Sequence, residues 1–96
     1  MTDRYILKNG KPVPEPDLYK WGEWFEKPEN RIVKQDKKNG IKVSTVFLAL
    51  DHNFSGVGPP LLWETMVFAP DEEDMKRYSS VKAALKGHAK FVKKYL

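Results

Sequence analysis

The hydrophobic pattern is densest between residues 43 and 68. There two runs of β-branched and aromatic residues, 43–50 and 61–68, flank ten residues that include Gly56, Gly58, Pro59 and Pro60. Such runs suit a pleated, half-buried surface and predict two adjacent antiparallel strands joined by an elaborated loop. From Val46 to Leu50 both alternating faces are apolar, which predicts a central strand covered on both sides at that end. Residues 31–35 carry Arg31, Lys34 and Gln35 and precede the turn dipeptide Asn39-Gly40. They read as an edge strand, where charge discourages pairing with another chain.

Helical spacing appears twice. Leu18, Trp21 and Phe25 recur three and four residues apart behind a candidate cap, Asp17, and Pro28 ends the run. Tyr19 and Trp24 fall off that stripe; Trp24 is either a binding aromatic or a ring wrapping the core edge. Ser79 or Ser80 can cap a last helix reaching Leu96. Turned at about 100° per residue, that helix gathers Val81, Ala84, Leu85, His88, Phe91, Val92 and Tyr95 on one face and five lysines opposite. Ahead of all this, residues 4–7 and 11–13 flank Asn9-Gly10 and predict a hairpin. Pro12, Pro14 and Pro16 restrict its return to an edge or an extended arm. Residues 69–78 read as an acidic connection.

These elements predict an α+β fold: a three-stranded antiparallel sheet of 31–35, 41–50 and 61–68, two helices and an N-terminal β-hairpin arm. The expected core is Leu18, Trp21 and Phe25 from the first helix, Val46, Leu48, Leu50, Leu62, Met66 and Phe68 from the strands, and Leu85, Phe91 and Val92 from the last helix.

Composition narrows the function. Ninety-six residues make one domain, 1–96, with a thin core and little room for a deep enclosed active site. No cysteine is present, which excludes disulfides, thiolate metal sites and a cysteine nucleophile. The first residues lack a basic-then-apolar leader, and no apolar run approaches the roughly 20 residues of a membrane span, so the expectation is a cytoplasmic protein with no membrane partner. Net charge is +4, and since Asp71, Glu72, Glu73 and Asp74 are four of the acids, the rest of the chain carries +8. That balance permits an anionic partner, whether a phosphate-bearing ligand, nucleic acid or an acidic protein surface.

Chemistry concentrates around His88. An imidazole in the middle of an apolar helix face needs a partner, since burying it unpaired costs about 1–3 kcal/mol. Glu64 lies on an otherwise apolar row with Leu62, Met66 and Phe68, so Glu64 and His88 are expected to meet, with Asp51, His52 and Asn53 joining them at the sheet end. Such a pocket can serve as an acid/base pair, metal site or ligand anchor; the structural alternative is a buried His–Glu hydrogen bond that fixes helix on sheet. With Trp24 these five residues form the candidate ligand-binding set. The phosphate-loop, nucleophile-elbow and His-Glu-x-x-His motifs are missing, so no catalytic residue is assigned, and no metal or cofactor is expected.

A resemblance then enters. The residues 43–54, 59–68, Arg77-Tyr78-Ser79 and Gly87-His88, with 4–7, 12–18 and Trp24-Phe25-Glu26, together resemble a family of small uncharacterised proteins common in bacteriophages and prophages. It implies phage origin, a bacterial host cytoplasm and an accessory, host-interacting role. The chain departs from the pattern at Lys82, where an acid three residues after the capping serine would complete a capping box.

The leading reading is a small non-catalytic binding protein that captures a host protein or a small anionic, nucleotide-like ligand through residues 51–60, with a homodimer across an edge strand as one arrangement. A second is a double-stranded RNA-binding module, from the order helix, three strands, lysine-bearing helix; its groove-reading Gly-Pro-x-His loop would fall at residues 36–40, where no such motif occurs. A third is a small hydrolase using His52, Glu64 and His88 as acid and base.

Overall fold

Two Asn-Gly turns set the first two strand pairings. In the computed structural model, which describes residues 3–96, Asn9, Gly10, Asn39 and Gly40 all have positive φ between 52° and 80°, as tight hairpin turns require. Strands β1 (Tyr5–Lys8) and β2 (Lys11–Pro14) pair about the first turn, β3 (Ile32–Lys38) and β4 (Ile41–Phe47) about the second. β5 (Trp63–Phe68) returns beside β4, and β6 (Glu73–Tyr78) returns beside β5. The result is a four-stranded antiparallel sheet in the order β3-β4-β5-β6.

The fold is thus α+β with two helices and a sheet, but the sheet has four strands rather than three. β6 occupies the segment expected to be an acidic connection, and β5 is an interior strand rather than an edge. The reason lies in the side chains β6 turns toward the helices. Asp74, Lys76 and Tyr78 stand opposite Val67, Thr65 and Trp63, so only the last is apolar and no hydrophobic alternation announces a strand. A charged edge strand of this kind protects the sheet margin.

Helix α1 (Leu18–Phe25) starts where Asp17 accepts the backbone N–H groups of Tyr19 and Lys20, at 3.0 and 3.2 Å. A short 3₁₀ turn, Pro28–Asn30, follows it. Helix α2 (Val81–Tyr95) is capped by Ser80, whose Oγ accepts the Ala83 N–H at 3.1 Å. Both helices cover the same sheet face. Phe47, Trp63 and Tyr78 form one cross-strand row on it; Trp24 of α1 meets Phe47 edge-on at 5.7 Å, and Ala84 of α2 joins the same buried cluster.

Which strand residues face the helices differs from expectation. The inward set is Val43, Thr45 and Phe47 on β4 and Trp63, Thr65 and Val67 on β5, all buried. Val46, Met66 and Phe68 therefore point away from the helices, and Phe68 is half exposed. Leu18, Leu50 and Leu85 are exposed as well, whereas Leu62 is buried and Leu48, Trp21, Phe25, Phe91 and Val92 are partly so. Apolar residues occupy both faces of β5, so alternation alone does not choose the inner one.

The N-terminal hairpin is docked rather than a free arm. The Tyr5 N–H donates to the Ala49 carbonyl at 2.8 Å, and the Asp51 N–H donates to the Asp3 carbonyl at 2.9 Å. The same Ala49 carbonyl accepts Trp21 Nε1–H at 3.1 Å. Ala49 is fully buried with φ 63°, a left-handed conformation uncommon for a residue with a Cβ. It turns the chain out of β4 and fastens hairpin, helix and sheet at one atom.

Candidate functional site

The inward helix face does carry His88 into the core, where it is 1% exposed. Its partners are Thr45 and Asp36. Thr45 Oγ1 lies 2.7 Å from His88 Nδ1 and 2.6 Å from Thr65 Oγ1, and Asp36 Oδ2 lies 2.7 Å from His88 Nε2. With a neutral ring the three contacts can be satisfied at once, Thr65 donating to Thr45, Thr45 to Nδ1, and Nε2–H to the Asp36 carboxylate; the two hydroxyl bonds reverse if both ring nitrogens carry protons. The order hydroxyl, imidazole, carboxylate resembles a nucleophile relay. Thr45 is fully buried, however, so no substrate reaches its oxygen. The chain of bonds fastens α2 across three strands.

Glu64 takes no part in it. Its Oε2 accepts Arg77 Nε–H at 3.0 Å, from the residue directly opposite on β6. Thr65 faces α2, so its neighbour Glu64 lies on the other face of the sheet. The expected Glu64–His88 pair does not form, and the pocket of Asp51, His52, Asn53, Glu64 and His88 is not assembled. Trp24 serves as packing against Phe47, and its carbonyl accepts Asn30 Nδ2–H at 2.9 Å. Asp36 escaped sequence reasoning; the available signal was an acid amid the lysines of β3, at a position that the Asn39-Gly40 turn sets opposite Val43.

Asp51, His52 and Asn53 stay together, as the framework of the loop 51–60. Asp51 Oδ1 accepts the Asn53 N–H at 2.7 Å and the Leu61 N–H at 3.0 Å, tying the loop's entry to its exit. Asn53 Nδ2 donates to the carbonyls of Val57 and Pro59, at 2.8 and 2.9 Å, while its Oδ1 accepts Ser55 Oγ–H at 2.5 Å. His52 Nδ1–H donates to the Leu50 carbonyl at 2.9 Å, and its ring lies 5.8 Å from that of Phe54. Gly56 and Gly58 supply the positive φ values the tight path needs. This framework holds two apolar side chains in solvent, Phe54 at 84% and Val57 at 78% exposure.

A concavity lies between α2 and β6, with a volume of about 300 Å³. Tyr78, Ala83, Gly87 and Phe91 form its apolar walls, and Lys76, Lys86 and Lys90 stand around them. Tyr78 is nearly buried, and its phenolic oxygen has no hydrogen-bond partner among the described residues. Farther along the same row, Asp74 Oδ2 accepts Tyr95 Oη–H at 2.6 Å and pairs with Lys94 Nζ at 3.8 Å. The Tyr95 bond holds the Asp74 carboxyl below its ordinary range and raises the pKa of Tyr95 in return; Lys94 is raised chiefly by its own interaction with Tyr95 and then by the Asp74 charge.

Among the described residues no cluster of three or more His, Cys, Asp or Glu side chains could hold a metal ion, and no helix is long and apolar enough to cross a membrane. No family model, curated protein or solved structure matches the chain.

Proposed function

We propose that the chain is a non-catalytic binding protein whose loop 51–60 seats a protein partner. The observation that carries this reading is the display of Phe54 and Val57 on a loop whose own side chains fix its backbone. Loop tips ordinarily carry small or polar residues, and an exposed aromatic anchor is the type of residue that dominates protein interfaces. A loop ordered before it binds loses little further entropy on association. The Asp51 and Asn53 bonds therefore contribute to affinity without touching the partner. The resemblance to phage and prophage proteins supports a partner in the bacterial host cytoplasm and an accessory role for the chain.

A photo-crosslinking residue placed at position 54, with one at exposed Lys82 as control, tests the reading in a bacterial host. The expected result is one protein adduct specific to position 54, whose purified form binds the chain and loses at least about tenfold affinity on Phe54→Ser. An adduct common to both positions, or an affinity unchanged by Phe54→Ser, would contradict it. An adduct to a second copy of the chain would replace the host partner with a homodimer.

The exposed lysines of α2, Lys82, Lys86, Lys90, Lys93 and Lys94, favour nucleic acid as the second reading. Binding to duplex RNA that strengthens steeply as salt falls would support it, and no retention at low salt would remove it.

A further inference from the structure

The groove between α2 and β6 belongs to neither the loop nor the His88 network, and its chemistry is of one kind. The residues lining it include three lysines and no carboxylate. Lys76, Lys86 and Lys90 make no ion pair among the described residues, and the one acid that β6 turns to this side, Asp74, is already engaged by Tyr95 and Lys94. Positive charge here is uncompensated, so an anion entering the groove meets several ammonium groups without displacing a resident partner.

Charge alone describes any basic surface; the walls add a second requirement. Ala83, Gly87 and Phe91 recur along one strip of α2 and face Tyr78, with Lys76 Nζ 5.8 Å from the Tyr78 ring centroid. The absence of a side chain at Gly87 is what lets the Tyr78 ring approach the helix backbone. Between Gly87 and Phe91 the wall is apolar, and the volume of about 300 Å³ matches the small end of ligand sites. The Tyr78 hydroxyl itself is packed against Gly87 and closed to solvent, so recognition in the groove falls to the apolar walls and the lysines.

The geometry points to a binding site for a small aromatic phosphate, a mononucleotide in its commonest biological form. The flat ring lies against Tyr78 and Phe91, and the phosphate sits among Lys76, Lys86 and Lys90. This site is separate from loop 51–60, and neither depends on the other.

The test is an amide-resolved NMR titration of the intact chain with adenosine monophosphate, guanosine monophosphate, adenosine and inorganic phosphate, each to roughly 5 mM, which covers the weak millimolar range. The nucleotides should shift the amides of Ala83, Gly87 and Lys90 in a saturable way. Adenosine and phosphate alone should each bind at least about tenfold more weakly, because each supplies half of the recognition. The double variant Lys86→Gln/Lys90→Gln, both exposed positions, should lose at least about tenfold affinity, and higher salt should weaken binding. Phe54→Ser should leave it unchanged, which separates this site from the loop. No saturable shift with either nucleotide overturns the proposal. So does phosphate binding as tightly as a nucleotide, which would mean a bare anion site, or shifts centred away from α2 and β6.

Discussion

Gly87 of α2 and Tyr78 of β6 compete for one space: a Cβ at residue 87 would overlap the phenolic oxygen and the ring carbons behind it. The helix is seated on the sheet at this contact, so its two members should respond oppositely to substitution. Gly87→Ala forces the buried ring or the helix to move and should cost about 1–3 kcal/mol. Tyr78→Phe removes a buried hydroxyl without a partner and should be neutral or stabilising by about 1 kcal/mol. Urea unfolding followed by circular dichroism measures both, and a tolerated Gly87→Ala would refute the contact.

The partner of His88 is testable by the same method. Thr45→Val keeps the shape but leaves Nδ1 and the Thr65 hydroxyl without their partner, and should cost about 1–3 kcal/mol. Glu64→Gln affects only the partly exposed pair with Arg77 on the other face and should cost at most about 1 kcal/mol. The reverse order of effects would restore a Glu64–His88 pair.

The Asp74–Tyr95–Lys94 cluster sets a pH dependence at both ends. The folded pKa of Asp74 lies below its ordinary 3.8, chiefly through the Tyr95 bond. Its contribution is present above that value and is lost as pH falls through the lower folded one. Tyr95 and Lys94 are raised above 10.0 and 10.5, chiefly through the bonds of Tyr95 to Asp74 and to Lys94 respectively. Their contributions are complete below those values and are lost as pH rises through the folded ones. Tyr95→Phe should therefore lower stability at neutral pH and flatten both limbs of a stability–pH profile. A profile that keeps its acid and alkaline slopes would contradict this assignment.

Much of the fold was legible because short-range rules agreed with it. Asn9-Gly10 and Asn39-Gly40 formed turns, Asp17 and a serine capped the helices, and the helical period correctly turned His88 inward. What was illegible depended on contacts between strands. β6 shows no alternation because two of the three side chains it turns toward the helices, Asp74 and Lys76, are charged and only Tyr78 is aromatic. β5 carries apolar residues on both faces, and only its register with Thr45 reveals that Thr65, a polar residue, is on the inner one. The partner of His88 followed the same error: with the face of β5 reversed, Glu64 is expected beside the ring, with Asp51 joining, whereas Asp36 reaches it from β3. The loop was legible from its glycines and prolines, but which of its side chains face solvent was not. Asp51 and Asn53 are spent on the backbone, and Phe54 and Val57 are what it shows to solvent.

Asn53 is the loop's main fastening, with bonds to Val57, Pro59 and Ser55. Asn53→Ala should leave global stability within about 1 kcal/mol, since an exposed loop contributes little to the core. Local protection should nonetheless fall, seen as faster amide exchange across residues 53–58. Unchanged exchange would show that Gly56, Gly58 and the prolines suffice to hold the loop.

The proposed function depends most on a loop that is ordered before any partner arrives. Backbone ¹⁵N relaxation of the free chain measures this directly. Order parameters across residues 53–58 near the roughly 0.85 of rigid backbone are the predicted result. Values below about 0.6 would mean that Phe54 and Val57 hang on a mobile segment, and would contradict the display on which the proposed function depends.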